Sequence, residues 1–133
     1  MFEWNDKFSV GIDEIDKQHQ RLFTIGKEVD DLLKYSNLSN KYVAIMEKVN
    51  ELMEYTQYHF DYEEKMLEAK DYPDIGEQKE QHMKFIHYLV GIEITKNTDQ
   101  QEVQLREILL FISKWIVDHI TSLDKAYSDH MHQ

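Results

Sequence analysis

Several histidines and carboxylates are spaced so that they could build a metal site. His59 and Glu63 are four residues apart, as are Gln78 and His82, so each pair would share one face of a helix. Imidazole suits iron, copper, nickel and zinc, and a carboxylate can bridge two cations. The chain has no cysteine, so any metal must be held by nitrogen and oxygen. The candidate ligands are His19, His59, Glu63, His82, His119 and Asp124.

The elements that must position these residues are predicted to be four long helices. The 133 residues include only four glycines and one proline, too few turn-formers for a sandwich or barrel of short strands. Breaks occur at 34–40, 69–74 and 95–100, and between them apolar residues recur at spacings of three and four. We therefore predict an all-α fold, an up-down-up-down antiparallel four-helix bundle with an N-terminal arm.

The length is that of one domain. We expect an arm over 1–12, a bundle over 13–128 and a tail over 129–133, with His130 and His132 in a frayed tail. His87, five residues after His82, is predicted to face solvent. Tyr127 is interpreted as an ordinary interface tyrosine, the alternative being that its hydroxyl reaches a ligand.

Two helix starts carry capping signals. Asp74 is followed three residues later by Glu77, and Thr98 is followed at the same spacing by Gln101. This spacing is typical of the capping box, in which two side chains satisfy free amides at a helix N-terminus. It marks the predicted starts of the third and fourth helices.

Composition argues against several classes of partner. The chain has 26 acidic and 15 basic side chains, and a net charge of −11 would repel nucleic acid and anionic lipid surfaces. No apolar run approaches the ~20 residues that cross a membrane. The N-terminus lacks the basic patch and apolar stretch of a secretory signal, so we expect a cytoplasmic protein that binds neither nucleic acid nor membranes.

The polar candidates fall at one level of the predicted bundle. Each lies about six to nine residues from the same end, or roughly 9 to 14 Å at 1.5 Å per residue. Asp124 is the exception in direction, because an ideal helix would turn it about 140° away from His119. A longer-turn bulge or a loosened last turn would bring both groups inward.

The most economical arrangement of these ligands is two iron ions bridged by Glu63 and Asp124, with histidines on the outer positions. Manganese or zinc could occupy the same groups. Ferritin-like di-iron proteins are a competing class, but they use Glu-x-x-His motifs. No histidine in this chain has a glutamate three positions before it, which counts against that class.

Over essentially its whole length, the chain resembles the hemerythrin family, in particular its single-domain bacterial members. The matching segments are VGIDEIDKQH at 10–19 and HFDYEE at 59–64, followed by Trp115, His119-Ile120, Asp124 and Tyr127. The same four-helix topology is known for a hemerythrin relative, myohemerythrin.

The resemblance implies a di-iron centre with a bridging oxo or hydroxo group. One iron would take His19 and His59, the other would take His82 and His119, and Glu63 and Asp124 would bridge both. An apolar oxygen pocket that excludes water is also implied. Its residues would be Phe60, Trp115, Ile116 and Ile120.

One position departs from the family pattern. The family has two histidines four apart in the third helix, and the first of them is Gln78 here. Gln78 is either a weak ligand or a hydrogen-bonding residue beside the ligands. In both cases the iron held by His82 and His119 would keep a position open to exchange.

Three functions follow as expectations. The first is reversible binding of dioxygen, for oxygen storage, delivery or sensing. The second, favoured by Gln78, is a redox enzyme that reduces oxygen, peroxide or nitric oxide with electrons from an unidentified donor. The third is iron homeostasis, with metal occupancy coupled to folding. We expect dioxygen or a related small molecule as ligand, and a monomer or small homo-oligomer.

Overall fold

The computed structural model describes residues 2–36, 41–93 and 98–132, and within these ranges every regular element is helical. A 3₁₀ turn at Asp6–Phe8 comes first, and a π-helical turn at Ile120–Asp124 joins the last two helices. The α-helices are α1 (Asp13–Tyr35), α2 (Lys41–Ala69), α3 (Ile75–Val90), α4 (Thr98–His119) and α5 (Lys125–Met131). None of the described helices is both long and apolar enough to cross a bilayer.

Neighbouring helices run antiparallel. Arg21 of α1 contacts Glu51 of α2. Glu28, about two turns further along α1, contacts Lys48, which comes earlier in α2. The same reversal is seen for α3, whose contacts are Lys79 with Glu68 and His82 with Glu64 on α2, and Phe85 with Trp115 and Tyr88 with Phe111 on α4. The four-helix bundle predicted from the apolar spacing is therefore confirmed.

The apolar faces meet in two clusters. The larger fills the body of the bundle. The residues that recur at spacings of three and four along α1 are buried. Burying one such aliphatic side chain contributes about 1.5–3 kcal/mol. The smaller cluster closes the end of the bundle at which α1 begins. It contains Val10, Ile15, Leu67, Tyr72 and Tyr127.

The arm and the end of α5 are joined to each other across this closed end. Val10 N donates to Asp16 Oδ1 at 2.8 Å, and Ser128 Oγ donates to the Val10 carbonyl at 2.6 Å. Helix α5 continues to Met131, and the His132 ring packs against Gly11, whose φ is +70°. The expectation of a frayed tail from residue 129 is therefore wrong, because backbone hydrogen bonds and these contacts hold the described residues to 132.

The predicted helix starts are only partly matched. Asp74 directly precedes α3, but its side chain makes no capping hydrogen bond, and its backbone carbonyl accepts from Glu77 N instead. The capping box predicted at Asp74 is therefore wrong. The Thr98 side chain, on which the other predicted capping box depends, lies outside the described residues. Residues 37–40 and 95–97 of the predicted breaks also lie outside them.

Replacement of Gly26 tests how the arm packs on the bundle. Phe2 is only 4% exposed, and a methyl group on Gly26 would overlap its ring. We expect Gly26→Ala to destabilise the fold by about 1–3 kcal/mol, the usual effect of overpacking. The measurement is the free energy of unfolding in denaturant at equal metal loading.

The matched control is Gly76→Ala in α3, where an added methyl group meets nothing within 4 Å. This variant should be neutral or more stable by up to about 1 kcal/mol, since alanine favours helix. Equal stability of the two variants would show that Phe2 does not pack over α1 as described.

Candidate metal centre

The four main helices bring their polar residues to one point of the core. Ligand atoms of His19, His59 and Glu63 form one group within 4.8 Å of one another, and Glu63, His82 and His119 form a second. All of these side chains are at most 4% exposed. The two groups share Glu63, so the arrangement has room for two cations with one carboxylate between them.

Glu63 directs a different oxygen to each group. Its Oε2 lies 3.6 Å from His59 Nε2 and 3.9 Å from His19 Nε2, whereas its Oε1 lies 3.0 Å from His82 Nε2. Tyr127, from α5, donates its hydroxyl to Oε2 at 2.9 Å. Of the two interpretations of Tyr127, the ordinary interface residue is therefore wrong, and the structure supports the alternative, in which its hydroxyl reaches a candidate ligand.

Asp124 spans the same two groups because of the π-helical turn. Its Oδ2 lies 3.2 Å from His19 Nε2, and its Oδ1 lies 3.3 Å from His119 Nε2. A π-helix closes i to i+5 hydrogen bonds, so residues five apart come to lie above one another. The longer turn at Ile120–Asp124 thus brings both Asp124 and His119 inward, as the sequence required if Asp124 was to join the site.

Unpartnered buried atoms test whether a metal fits here. Among the described residues, both ring nitrogens of His19, Glu63 Oε1, Gln78 Oε1 and Asp124 Oδ2 are buried without a hydrogen bond. His19 Nε2 and Asp124 Oδ2 are 3.2 Å apart and still do not form one. Buried polar atoms without partners are unfavourable by about 1–3 kcal/mol each. Cations bound between them would supply the missing partners, so the residues fit a metal centre.

The electrostatics of the cluster lead to the same conclusion. Burial, with the nearby charge of Asp124, raises the pKa of Glu63 to about 8. Burial lowers the pKa of His82 to about 4 and holds the pKa of His59 well below its usual value. Burial would also lower the pKa of His119, but the charge and hydrogen bond of Asp124 outweigh it and raise that pKa. Near neutral pH, Glu63 therefore keeps a proton that a cation must displace.

Three of the four imidazoles are oriented by a hydrogen bond from Nδ1, which directs Nε2 to the interior, where a metal would bind it. Sequence reasoning missed these acceptors, although each adjoins a candidate ligand along the chain. The contacts are His59 to Gln18 Oε1 at 2.7 Å, His82 to Glu64 Oε2 at 2.9 Å and His119 to Gln81 Oε1 at 3.0 Å.

Gln78 lies in the site but binds a carboxylate. Its Nε2 donates to Asp124 Oδ1 at 2.9 Å, and the residue is 1% exposed. Its Oε1 is one of the unpartnered atoms. His87, by contrast, is exposed as predicted.

A small cavity adjoins the two groups. Its volume is about 10 Å³ for the centre of a water-sized sphere, close to the minimum that a single water needs. All four residues predicted for the oxygen pocket line it, together with Leu22 and Thr56. Histidines 19, 59 and 119 and Asp124 complete the lining, so the cavity connects directly with the candidate ligands.

The fold and the site define a four-helix-bundle protein with a candidate two-metal centre of imidazoles and carboxylates. The family model described as the hemerythrin HHE cation binding domain matches residues 10–129. The chain belongs to the hemerythrin family.

Curated relatives agree with this membership. A bacteriohemerythrin of Clostridium acetobutylicum is 36% identical over 129 residues, which is 97% of this chain and all of the relative. A bacteriohemerythrin of Stenotrophomonas maltophilia is 30% identical over 126 residues, covering 95% of this chain and 78% of the relative. A hemerythrin-like protein of Naegleria gruberi is 29% identical over 126 residues, covering 95% of this chain and 90% of the relative.

Metal affinity is expected to rise with pH up to about 8, because a cation displaces the proton of Glu63, and the raised pKa of His119 acts in the same direction. Folding raises the pKa of Glu63 from 4.5, so without metal its contribution to stability is complete below pH 4.5 and is lost as the pH rises to about 8. Competition with a chelator for Zn²⁺ at pH 6, 7 and 8 measures the affinity, after correction for the chelator's own protonation.

The control for this measurement is Glu63→Gln, which removes one titrating group. Its zinc affinity should be weaker and should change less with pH than that of the parent chain. An affinity of the parent chain that is constant from pH 6 to 8 would contradict the assignment of these protons.

Proposed function

We propose that this protein is a non-haem di-iron protein that binds dioxygen reversibly, for oxygen storage, delivery or sensing. The observation that carries the proposal is a pair of ligand groups that share Glu63 and Asp124 and adjoin an apolar cavity. When bound, two iron ions supply the electrons that dioxygen accepts. The rest of the function depends on how this chain holds the ions and what it excludes from them.

Each group of residues has a separate role in this proposal. His19 and His59 would hold one iron and His82 and His119 the other, and Glu63 and Asp124 would contribute to both. The Nε2 atoms of His59, His82 and His119 point to the interior because each of these rings donates Nδ1–H to an acceptor on another helix. The site is thus shaped before metal arrives, which reduces the ordering that binding requires.

The cavity restricts what reaches the metals. Phe60, Trp115, Ile116 and Ile120 present ring and aliphatic surfaces, and the volume is too small for a chain of waters. A dry environment limits the delivery of protons, and protons promote irreversible oxidation of the iron. Dioxygen is apolar and small, so it suits this space better than an anion does.

Iron loading followed by oxygen exposure tests the proposal. We expect two ferrous ions per chain under anaerobic conditions, an absorption change when oxygen is added, and recovery of the initial spectrum when oxygen is removed. His59→Ala should reduce the iron content to about one per chain or fewer. The exposed His87→Ala is the control and should keep two. One ion or none in the parent chain, or a change that oxygen removal does not reverse, would contradict the proposal.

Gln78 favours a second candidate function, the reduction of oxygen, peroxide or nitric oxide. Its amide nitrogen donates to Asp124, and the side chain supplies no imidazole. The second iron therefore has only the imidazoles of His82 and His119 among the residues of its group. Iron prefers six ligands, and a position without a protein ligand is open to a substrate. A neutral amide oxygen is a much poorer ligand than imidazole, whether or not Gln78 Oε1 turns toward the metal.

The variant Gln78→His distinguishes the two candidate functions. If the open position supports turnover, an added imidazole should slow oxidation of the ferrous protein in air and reduce substrate consumption several-fold. Gln78→Ala separates this effect from loss of the hydrogen bond to Asp124, because it removes the amide without adding a ligand. Rates that are unchanged in Gln78→His would exclude a role of this position in turnover.

A further inference from the structure

The acceptors of the three oriented imidazoles differ in charge. His82 Nδ1 donates to a carboxylate oxygen, Glu64 Oε2, at 2.9 Å. The acceptors for the other two rings are amide oxygens, Gln18 for His59 and Gln81 for His119. Among the described residues, His19 Nδ1 has no partner. Of the two proposed irons, the one between His82 and His119 therefore has an imidazole ligand that donates a hydrogen bond to a negatively charged acceptor.

The negative charge of Glu64 is directed at His82. Glu64 follows the shared ligand Glu63 on α2, but its side chain lies in the groove between α2 and α3 and is 26% exposed. Lys79, which lines the same groove, makes its close ion pair with Glu68 at 2.6 Å. The close contact described for Glu64 is its hydrogen bond with His82, whereas Lys79 interacts with its charge without forming an ion pair with it.

A carboxylate that accepts from a metal-bound imidazole makes the ring a stronger electron donor. Stronger donation stabilises the more highly charged ferric ion relative to the ferrous ion. An amide oxygen accepts the same hydrogen bond without adding charge, so its effect is smaller. The difference in acceptors therefore predicts a difference in reduction potential between the two irons.

We propose that Glu64 is a positioning residue that makes the iron of His82 and His119 the more easily oxidised of the pair. The assignment rests on the proposed function, since it requires two irons. In this couple the ferrous ion loses one electron to an added one-electron oxidant, and the proton stays in the His82–Glu64 hydrogen bond. The iron of His19 and His59, whose one oriented imidazole donates to an amide oxygen, keeps the higher potential.

The test replaces the carboxylate acceptor by an amide and an amide acceptor by a carboxylate. The reduction potentials of the two irons are then measured by spectroelectrochemistry with soluble mediators. Glu64→Gln keeps the shape of the side chain and an acceptor oxygen but removes the charge. We expect it to change the ferric-to-ferrous preference of the first iron to be oxidised by about tenfold, a rise of about 59 mV for one electron. Gln81→Glu should lower the same potential, since its carboxylate would face the other imidazole of that iron.

The double variant Glu64→Gln with Gln81→Glu provides the decisive comparison. The charge is returned to the same iron through His119, so the potential should return close to that of the parent chain. A role of Glu64 in packing alone would not be rescued in this way. Gln18→Glu is the control for the other iron and should lower the second potential instead of the first.

Two kinds of failure can be told apart. If the variants bind two irons and the potentials stay unchanged, the assignment of Glu64 is wrong while the di-iron proposal stands. If the parent chain itself does not bind two irons, the proposed function fails first. If Glu64→Gln loses iron, the shift on Gln81→Glu still decides, because that variant retains Glu64.

Discussion

The constraint on which the structure depends is that four imidazoles and two carboxylates lie at one level of a dry core. Removing an ionised group from water is unfavourable by several kcal/mol unless a partner of opposite charge accompanies it. Within the described residues the cluster leaves several of these atoms without hydrogen bonds, and Glu63 retains a proton up to a pH of about 8. A pair of cations bound between these atoms would supply the missing partners and favour the ionised form of Glu63, so metal binding and folding would stabilise each other.

The π-helical turn at Ile120–Asp124 has consequences beyond the placement of one ligand. The added residue rotates the chain that follows, so Tyr127 reaches Glu63 and Ser128 reaches the carbonyl of Val10. A regular α-helix would place Asp124 and Tyr127 at other angles around the axis. One local irregularity therefore positions the Asp124 carboxylate between His19 and His119, fixes the Glu63 carboxylate through a hydroxyl and attaches the N-terminal arm.

The sequence predicted the bundle and the level of the site because both follow from simple periodicity. His19 and His59 lie in the apolar stripes of α1 and α2, and stripe positions must face the core. The place of Asp124 in the site could be predicted only on the condition that the helix contains a longer turn. The spacing required such a turn but could not show that one forms. Gln18, Glu64 and Gln81 were not predicted. Each lies beside a ligand in sequence but contacts a ligand of a different helix, and that contact depends on how two helices are rotated against each other.

Gln78 shows a further limit of sequence reasoning. Its position on the stripe of α3 was clear, but an amide can turn either its oxygen or its nitrogen to a neighbour. The choice is set by Asp124, whose Oδ1 accepts at 2.9 Å and is itself placed by the π-helical turn. The role of a residue on α3 is thus decided by an irregularity at the end of α4.

The cavity and the imidazoles of the second group share two walls, which limits how the cavity can change. Phe60 stacks on the His82 ring at a centroid distance of 3.8 Å, and Trp115 stacks on the His119 ring at 4.6 Å. Both aromatic rings also line the cavity. A smaller side chain at either position would enlarge the cavity and at the same time loosen an imidazole. Leu22 and Thr56, which also line the cavity, do not stack on a candidate metal ligand. Substitutions there would change the size of the molecule that the cavity admits with less effect on the imidazoles.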